Sequence, residues 1–166
     1  MKSNKRRLFA VSMLTFFLLL SSHSFAWAEE YNAMKGVNSV NAIFDMRIGN
    51  PQSAVLHLNL IYNTFEELVA MKKSPVFVVV FIGSAVKLIS NDHSGFNTEE
   101  QKSLKQIAGI VSRMSKAGIR VEVCLVAAKV LGVEPASILS EIERVGNGWI
   151  SEIGYQSRGY SLVPVY

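Results

Sequence analysis

Cys124 is the only cysteine of the 166-residue chain, and its position suits nucleophilic chemistry. It lies near the end of a predicted strand, residues 119–125, and a predicted short helix over 126–131 follows. A thiol at the start of a helix lies near backbone N–H groups and the positive end of the helix dipole, and both favour the thiolate. A thiolate can attack an electrophile or carry a sulfur atom. Lys129, or Lys87 from a neighbouring loop, adds positive charge if its side chain turns inward.

The same position also suits an inert cysteine. Cysteine is among the residues most often buried, and a strand end in an apolar sheet is an ordinary place for one. Because no second cysteine exists, the chain forms no internal disulfide. The thiol is therefore buried, paired between chains or kept for its reactivity, and position alone leaves these alternatives open.

The other residues that could do chemistry lack suitable partners. His57, His93 and Asp92 show neither His-x-x-x-His nor paired-cysteine spacing, so we predict no metal site and no cofactor. His57 sits beside the buried Leu58 on a helix, and His93 lies in a polar loop, where a solvated side chain is expected.

Two short polar segments follow predicted strands. Asn50 and the pair Gly83-Ser84 can offer N–H groups to an anion, but the Gly-Lys-Ser/Thr ending of a phosphate loop is absent. Ser84 has no Gly-x-Ser-x-Gly elbow around it. Two acidic pairs, Glu66-Glu67 and Glu99-Glu100, are interpreted as solvated helix faces. Three aromatic residues are expected in the core or at an interface: Trp149, Tyr155 and Tyr160.

Predicted strands and helices alternate along the chain, and together they must position Cys124. Asn50 and Pro51 suit the start of a helix that runs to about Met71. Thr98, with Gln101 three residues on, predicts a capping box for a second long helix. Residues 88–97 read as a polar surface loop, and a short helix is predicted at 149–156. Strands are predicted at residues 40–46, 76–82, 119–125, 142–145 and 160–166.

The second predicted strand indicates the fold class. Residues 76–82 are a continuous β-branched and aromatic run, typical of a strand buried on both faces of a parallel sheet. We therefore predict an α/β fold of three layers, α/β/α, with a mostly parallel, doubly wound sheet of five strands. Reactive groups gather beyond the carboxyl ends of such strands, where Gly49-Asn50, Gly83-Ser84-Ala85 and Cys124 follow the first three.

Residues 1–28 have the three regions of a cleavable export signal. Four basic residues precede an apolar run over 8–20, and Ala26-Trp27-Ala28 matches the small-x-small pattern of a cleavage site. The apolar run is shorter than the ~20 residues of a membrane span. We predict cleavage after Ala28, which leaves one domain, residues 29–166, exported without a membrane anchor. The basic lead and the signal, together with the resemblance described below, indicate a bacterial periplasmic address, and the sequence alone does not separate the periplasm from full secretion.

Cleavage also removes the net charge. The chain has 17 Lys and Arg residues against 13 Asp and Glu, and four of the bases but none of the acids lie in residues 1–28. The mature chain thus has 13 of each, and the pI of about 9.3 belongs to the precursor. We therefore predict no nucleic-acid partner. A net charge near zero with 49% apolar residues suits self-association.

Three segments resemble the DsrE/DsrF-like family of sulfur-relay proteins. Residues 123–133 are similar to its signature, a cysteine at a strand end followed by small residues and then Gly-Val. Residues 82–88 resemble its strand-Gly-x-x-Val-x-Leu turn, and residues 149–160 its closing helix and strand. The likeness spans about residues 40–165. It implies a sulfur carrier in which Cys124 accepts a sulfane sulfur as a transient persulfide, and a homo-oligomer of three or six chains.

Three hypotheses of function follow. The first is a periplasmic sulfur carrier or sulfurtransferase-type protein that exchanges sulfur at Cys124 with a donor or acceptor protein or a small sulfur compound. An exported chain cannot reach the cytoplasmic partners of the sulfur-relaying family members, so function does not follow from fold. The alternative is a non-enzymatic oligomeric binding or scaffold domain with Cys124 in its core. A redox sensor, with Cys124 bridging two subunits, is a third hypothesis.

Overall fold

The computed structural model describes residues 31–166, so the predicted export signal and its cleavage site lie outside the described residues. A 3-10 helix, Asn32–Met34, comes first. A compact unit then extends from Gly36 to Tyr166. Within the described part of the chain, no helix is long and apolar enough to cross a membrane.

Five parallel strands form a single sheet in this unit. They are β1 (Ser39–Met46), β2 (Ser74–Phe81), β3 (Arg120–Cys124), β4 (Glu143–Val145) and β5 (Ser161–Val165). Their order across the sheet is β4-β3-β2-β1-β5, and every pair of neighbours is parallel. The chain winds from β1 to β4 in one direction and then returns to the far side of β1. This topology confirms the predicted doubly wound α/β fold.

Four helices cover the two faces of the sheet. They are α1 (Pro51–Ala70), α2 (Thr98–Lys116), α3 (Leu125–Val130) and α4 (Gly148–Ser157). On one face the rings of Phe44 and Phe77 pack 4.9 Å apart, and Phe65 of α1 lies 5.5 Å from Phe77. On the other face Ile43 and Val78, each one position away along its strand, pack with Tyr155 of α4. The alternation of strand side chains therefore builds the predicted three layers.

The long helices begin and end at residues that suit helix caps. The Asn50 side chain accepts a hydrogen bond from the Ser53 N–H at 2.9 Å, and Pro51 occupies the first turn of α1, as predicted. At the end of α2, Gly118 has a φ of +85°, a left-handed conformation that suits glycine.

Two local predictions were wrong. The capping box of α2 is formed by Asn97 and Glu100, because the Asn97 side chain accepts from the Glu100 N–H at 3.0 Å and Glu100 accepts from the Asn97 N–H at 2.9 Å. Thr98 is instead the first helical residue. The predicted loop over residues 88–97 also starts too early, since a 3-10 helix, Gly83–Ile89, buries Leu88 and Ile89. The apolar residues of this 3-10 helix are buried, whereas a polar surface loop was predicted from residue 88 onwards.

Candidate functional site

Cys124 is the last residue of β3 and caps the N-terminus of α3, the position that the sequence predicted. Its Sγ accepts a hydrogen bond from the Ala127 N–H at 3.4 Å. The residue is only 4% exposed and packs in an apolar cluster with Ile82 and Tyr155. The sulfur atom is therefore positioned by β3 and α3 together and has little direct contact with bulk solvent.

A cavity of about 370 Å³ lies at the carboxyl ends of the first three strands, and Cys124 lines it. Most of its walls are apolar, and Arg47 is the one basic residue among those that line it. The lining consists of Arg47, Ile82, Gly83, Ser84, Cys124, Val126, Ala127, Val130, Leu131, Asn147 and Trp149. Cys124 is thus buried from bulk water but borders a volume large enough for a small molecule.

The basic residue that lines this cavity is neither of the two lysines that the sequence suggested. Lys129 and Lys87 are both exposed, and neither lines the cavity. Arg47, just past the end of β1, is the basic residue that does. The signal that could have identified it is the Asp45-x-Arg47 spacing, which places both side chains on one face of an extended segment.

The loops after β1 and β2 are joined beside the cavity. The Ser84 hydroxyl donates to the Arg47 carbonyl at 3.1 Å, and the Arg47 N–H donates to the Val165 carbonyl at 2.9 Å. A Cβ on Gly49 would lie 2.5 Å from Ser84 Oγ, so only glycine allows this approach. Ser84 therefore holds the backbone of Arg47 in place and has a structural role here, and Asn50 caps α1.

Gly148, the first residue of α4, lies directly against Cys124. A Cβ at this position would be 2.8 Å from Ile82 Cδ1 and 3.0 Å from Cys124 Cβ. We expect Gly148→Ala to lower the free energy of unfolding by about 1 kcal/mol through overpacking. Gly154→Ala in the same helix meets no atom within 4 Å and should raise it by about 0.5–1 kcal/mol. Urea unfolding of both variants checks this pair, and shifts of the same sign would contradict the close packing on Cys124.

An acidic pair lies beneath α4, next to Arg47. Asp45 of β1 and Glu152 of α4 are both buried, and Arg47 Nε donates to Asp45 Oδ2 at 2.7 Å. Burial, reinforced by the neighbouring Asp45 carboxylate, raises the pKa of Glu152 from its ordinary value of 4.5 to about 7. Asp45 Oδ1 and Glu152 Oε1 have no other hydrogen-bond partner among residues 31–166. The raised pKa means that Glu152 keeps its proton beside the Asp45 carboxylate at pH values where an exposed glutamate has lost it.

A third buried acid, Glu122, lies two residues before Cys124 on the same face of β3. Its Oε1 accepts from the Tyr155 hydroxyl at 2.6 Å, and its Oε2 accepts from the Ser151 hydroxyl. The Tyr155 hydroxyl in turn accepts from Arg120 Nη1 at 2.9 Å. Burial and the bond to Glu122 raise the pKa of Tyr155. This network of hydrogen bonds connects α4 to β3 immediately below the thiol. The sequence analysis did not assign Glu122 to a site.

The remaining candidates do not converge on a site. His57 Nδ1 bonds to the Ser53 carbonyl of its own helix at 2.8 Å, and Asp92 accepts from the Ser94 N–H in a surface turn. Across the described residues, no three His, Cys, Asp or Glu side chains group as metal ligands would. The rings of Tyr155 and Tyr160 pack with their centroids 4.9 Å apart and their planes tilted by 59°, whereas Trp149 is 59% exposed.

Exposed apolar side chains lie on α3 and α4, and three of them, Val126, Val130 and Trp149, line the cavity. Trp149, Ile150 and Ile153 project from α4, and Val126 and Val130 project from α3. Val130 and Ile150 are 77% and 68% exposed. Adjacent exposed apolar residues of this kind are typical of a surface that another protein covers.

A family model described as "DsrE/DsrF-like family" matches residues 41–165. An uncharacterised protein of Aquifex aeolicus (strain VF5) is 27% identical over 167 residues, covering 98% of this chain and 69% of that protein. The structure of a protein of unknown function, MTH1491 from Methanobacterium thermoautotrophicum, superimposes with a TM-score of 0.58 at 18% identity, covering 76% of this chain and 98% of that one. The ychN protein from E. coli gives a TM-score of 0.47 at 12% identity over 78% and 99% of the two chains.

Proposed function

Because the chain belongs to the DsrE/DsrF-like family, we propose that it is a sulfur carrier in which Cys124 takes up a sulfane sulfur as a transient persulfide. The family supports a sulfur-relay type of protein in general terms. The observation that carries the finer proposal is the place of Cys124, whose sulfur borders a cavity at the carboxyl edge of the sheet. The burial of Cys124 beside mainly apolar walls reduces the contact of a persulfide with bulk water.

The transfer step needs no oxidant or reductant. The Cys124 thiolate attacks the outer, sulfane sulfur of a donor, and a new S–S bond forms as the S–S bond of the donor breaks. The electron pair of the broken bond leaves with the donor, as a thiolate from a persulfide or as sulfite from thiosulfate. The Ala127 N–H, which donates to Sγ in the resting protein, stabilises negative charge on the sulfur before the attack.

Intact-mass measurement tests the proposal. The protein is incubated with thiosulfate or a low-molecular-weight persulfide, and one added sulfur atom is expected on the wild type but none on Cys124→Ser. An equal adduct on both proteins, or no adduct on the wild type, would refute the carrier. The matched control is Ser115→Ala, which removes an exposed hydroxyl of α2 and leaves the lining of the cavity unchanged.

The low exposure of Cys124 favours a second candidate function, an oligomeric binding or scaffold domain that uses no cysteine chemistry. In that case the native thiol should resist a small maleimide and react only after unfolding. A carrier thiol that is reached through the cavity should react in the native state. Comparing the labelling of native and denatured protein separates the two functions.

We also propose that the mature protein begins at Glu29, acts in the periplasm and forms a homo-oligomer. The exposed apolar residues of α3 and α4 support self-association, since a second copy would shield them from water. The same intact-mass measurement, made on protein from the periplasmic fraction, tests cleavage after Ala28. Sedimentation tests the oligomer, with Ile150→Asp expected to shift it towards the monomer.

A further inference from the structure

Arg47 and Cys124 lie in one row across the carboxyl edge of the sheet. Met46 pairs with Phe81, and Phe81 pairs with Val123, so the next residue of each strand continues the row as Arg47, Ile82 and Cys124. The two ends of this row are two strands apart, about 10 Å between Cα atoms. Both side chains line the same cavity. The Arg47 guanidinium is bonded to Asp45 of its own strand, so the cavity between Arg47 and Cys124 is open to a small ligand.

The guanidinium of Arg47 is fixed at one end and free at the other. Its Nε donates to the buried Asp45, and the backbone of Arg47 is held by Ser84 and Val165. Within residues 31–166 this bond to Asp45 is the only hydrogen bond of the guanidinium, and the side chain is 33% exposed. Both Nη groups therefore keep their N–H donors for an oxyanion, in the planar arrangement that matches sulfonate or carboxylate oxygens.

The rest of the cavity strengthens this interaction. Its walls are mainly apolar, so a charged hydrogen bond formed inside is screened less than one in bulk water. Its volume of about 370 Å³ lies at the lower end of the range for small-molecule sites. A small anion fits, and a folded donor protein does not enter.

We propose that Arg47 is the anion-recognition residue of the Cys124 cavity, and that it selects small anionic sulfane-sulfur donors. It would bind the sulfonate of thiosulfate or the carboxylate of an organic persulfide, with the sulfane sulfur directed towards Cys124. Asp45 is a positioning residue, because it orients the guanidinium without touching the donor. This inference rests on the proposed function, but it concerns selection of the donor and not the fate of the sulfur.

Alkylation with a matched pair of reagents tests the recognition separately from sulfur transfer. Iodoacetate is anionic and iodoacetamide is neutral, and both report on Cys124 as the only thiol. At pH 6, where Glu152 beside Arg47 keeps its proton, we expect the rate ratio of iodoacetate to iodoacetamide to be higher in the native protein than in the urea-unfolded chain. Arg47→Gln should lower the native ratio by about tenfold, and Arg47→Lys should lower it less. Lys129→Gln, which removes a nearby exposed charge outside the cavity, should leave the ratio unchanged.

A second measurement uses only the wild type. Sodium sulfate should slow the reaction of Cys124 with iodoacetamide more than sodium chloride of equal ionic strength. A ratio unaffected by Arg47→Gln, an equal change in Lys129→Gln, or a native thiol that reacts with neither reagent would overturn the inference. If sulfur loading occurs but the ratio does not depend on Arg47, the sulfur-carrier function is supported and donor selection by Arg47 is refuted. If the ratio depends on Arg47 but no sulfur is loaded, the carrier fails alone.

Discussion

Glu152→Gln is expected to make the protein more stable than the wild type by about 2 kcal/mol at pH 8 and by almost nothing at pH 4.5. The side chain of Glu152 is buried beside Asp45, and its pKa in the folded protein is raised to about 7 from 4.5. Glutamine resembles the protonated acid in shape. It also donates a hydrogen bond to Asp45, so the bond from Arg47 to Asp45 is kept.

The direction follows from where the proton is bound. Below pH 4.5 the carboxyl group is protonated in both the folded and the unfolded chain, and its contribution to stability is fully present. Between pH 4.5 and about 7 only the folded protein keeps the proton, so the free energy of unfolding falls as the pH rises. Above pH 7 the folded protein carries two adjacent buried carboxylates, balanced only in part by Arg47. Glutamine removes this loss because it does not ionise.

Urea unfolding of wild type and variant at pH 4.5, 6 and 8 measures the effect as the difference between the two proteins. Titrations that the two proteins share cancel in that difference. Glu67→Gln, an exposed acid of α1, is the control and should give a difference near zero at every pH. A constant difference between wild type and Glu152→Gln across the three pH values would show that the acidic pair holds no extra proton.

The fold could be predicted because its signals are local. The unbroken apolar run of β2, the Asn50-Pro51 start of α1 and the glycine that ends α2 each act within a few residues. They appear in the structure at or near the predicted positions. The predicted capping box of α2 was displaced by one residue, since Asn97 and not Thr98 is the N-cap. Asn97 and Thr98 both suit an N-cap and an acid or amide follows three residues after each, so local chemistry alone does not choose between them.

The position of Cys124 could be predicted for the same reason, but its surroundings could not. Which residues lie beside it depends on the register of β1 and β2 against β3, and no local pattern encodes that register. Asp45 and Glu122 alternate with apolar residues, so each resembles the solvent-facing side of a strand. In the structure that side is covered by α4, and both acids are buried with polar partners.

The buried acids also explain how a cysteine can be both a core residue and a candidate nucleophile. Along the face covered by α4, the row that ends at Cys124 and Arg47 lies directly above the row of Asp45 and Glu122. The lower row is held by hydrogen bonds to α4, whereas the upper row borders the cavity. The fold therefore fixes the backbone below the thiol and leaves space above it, which is the arrangement that a carrier requires.

Tyr155→Phe is expected to lower the free energy of unfolding by about 2 kcal/mol at pH 7, because it removes one hydroxyl from the network below Cys124. Without it, Glu122 Oε1 loses its 2.6 Å bond from Tyr155 inside the protein. Arg120, whose side chain is half exposed, can replace its lost bond with water. The phenylalanine ring keeps the contacts with Tyr160 and Arg158, so the loss is confined to the hydrogen bonds.

Tyr160→Phe is the matched control for this prediction, since it removes a hydroxyl from the stacked partner ring and should change stability by less than about 0.5 kcal/mol. Urea unfolding at pH 7 measures both variants. Because Glu122 and Cys124 share one face of β3, loosening the network should also speed the alkylation of native Cys124 in Tyr155→Phe relative to Tyr160→Phe. Equal stability losses and equal alkylation rates in the two variants would show that the Glu122 network does not hold α4 against the strand that carries the thiol.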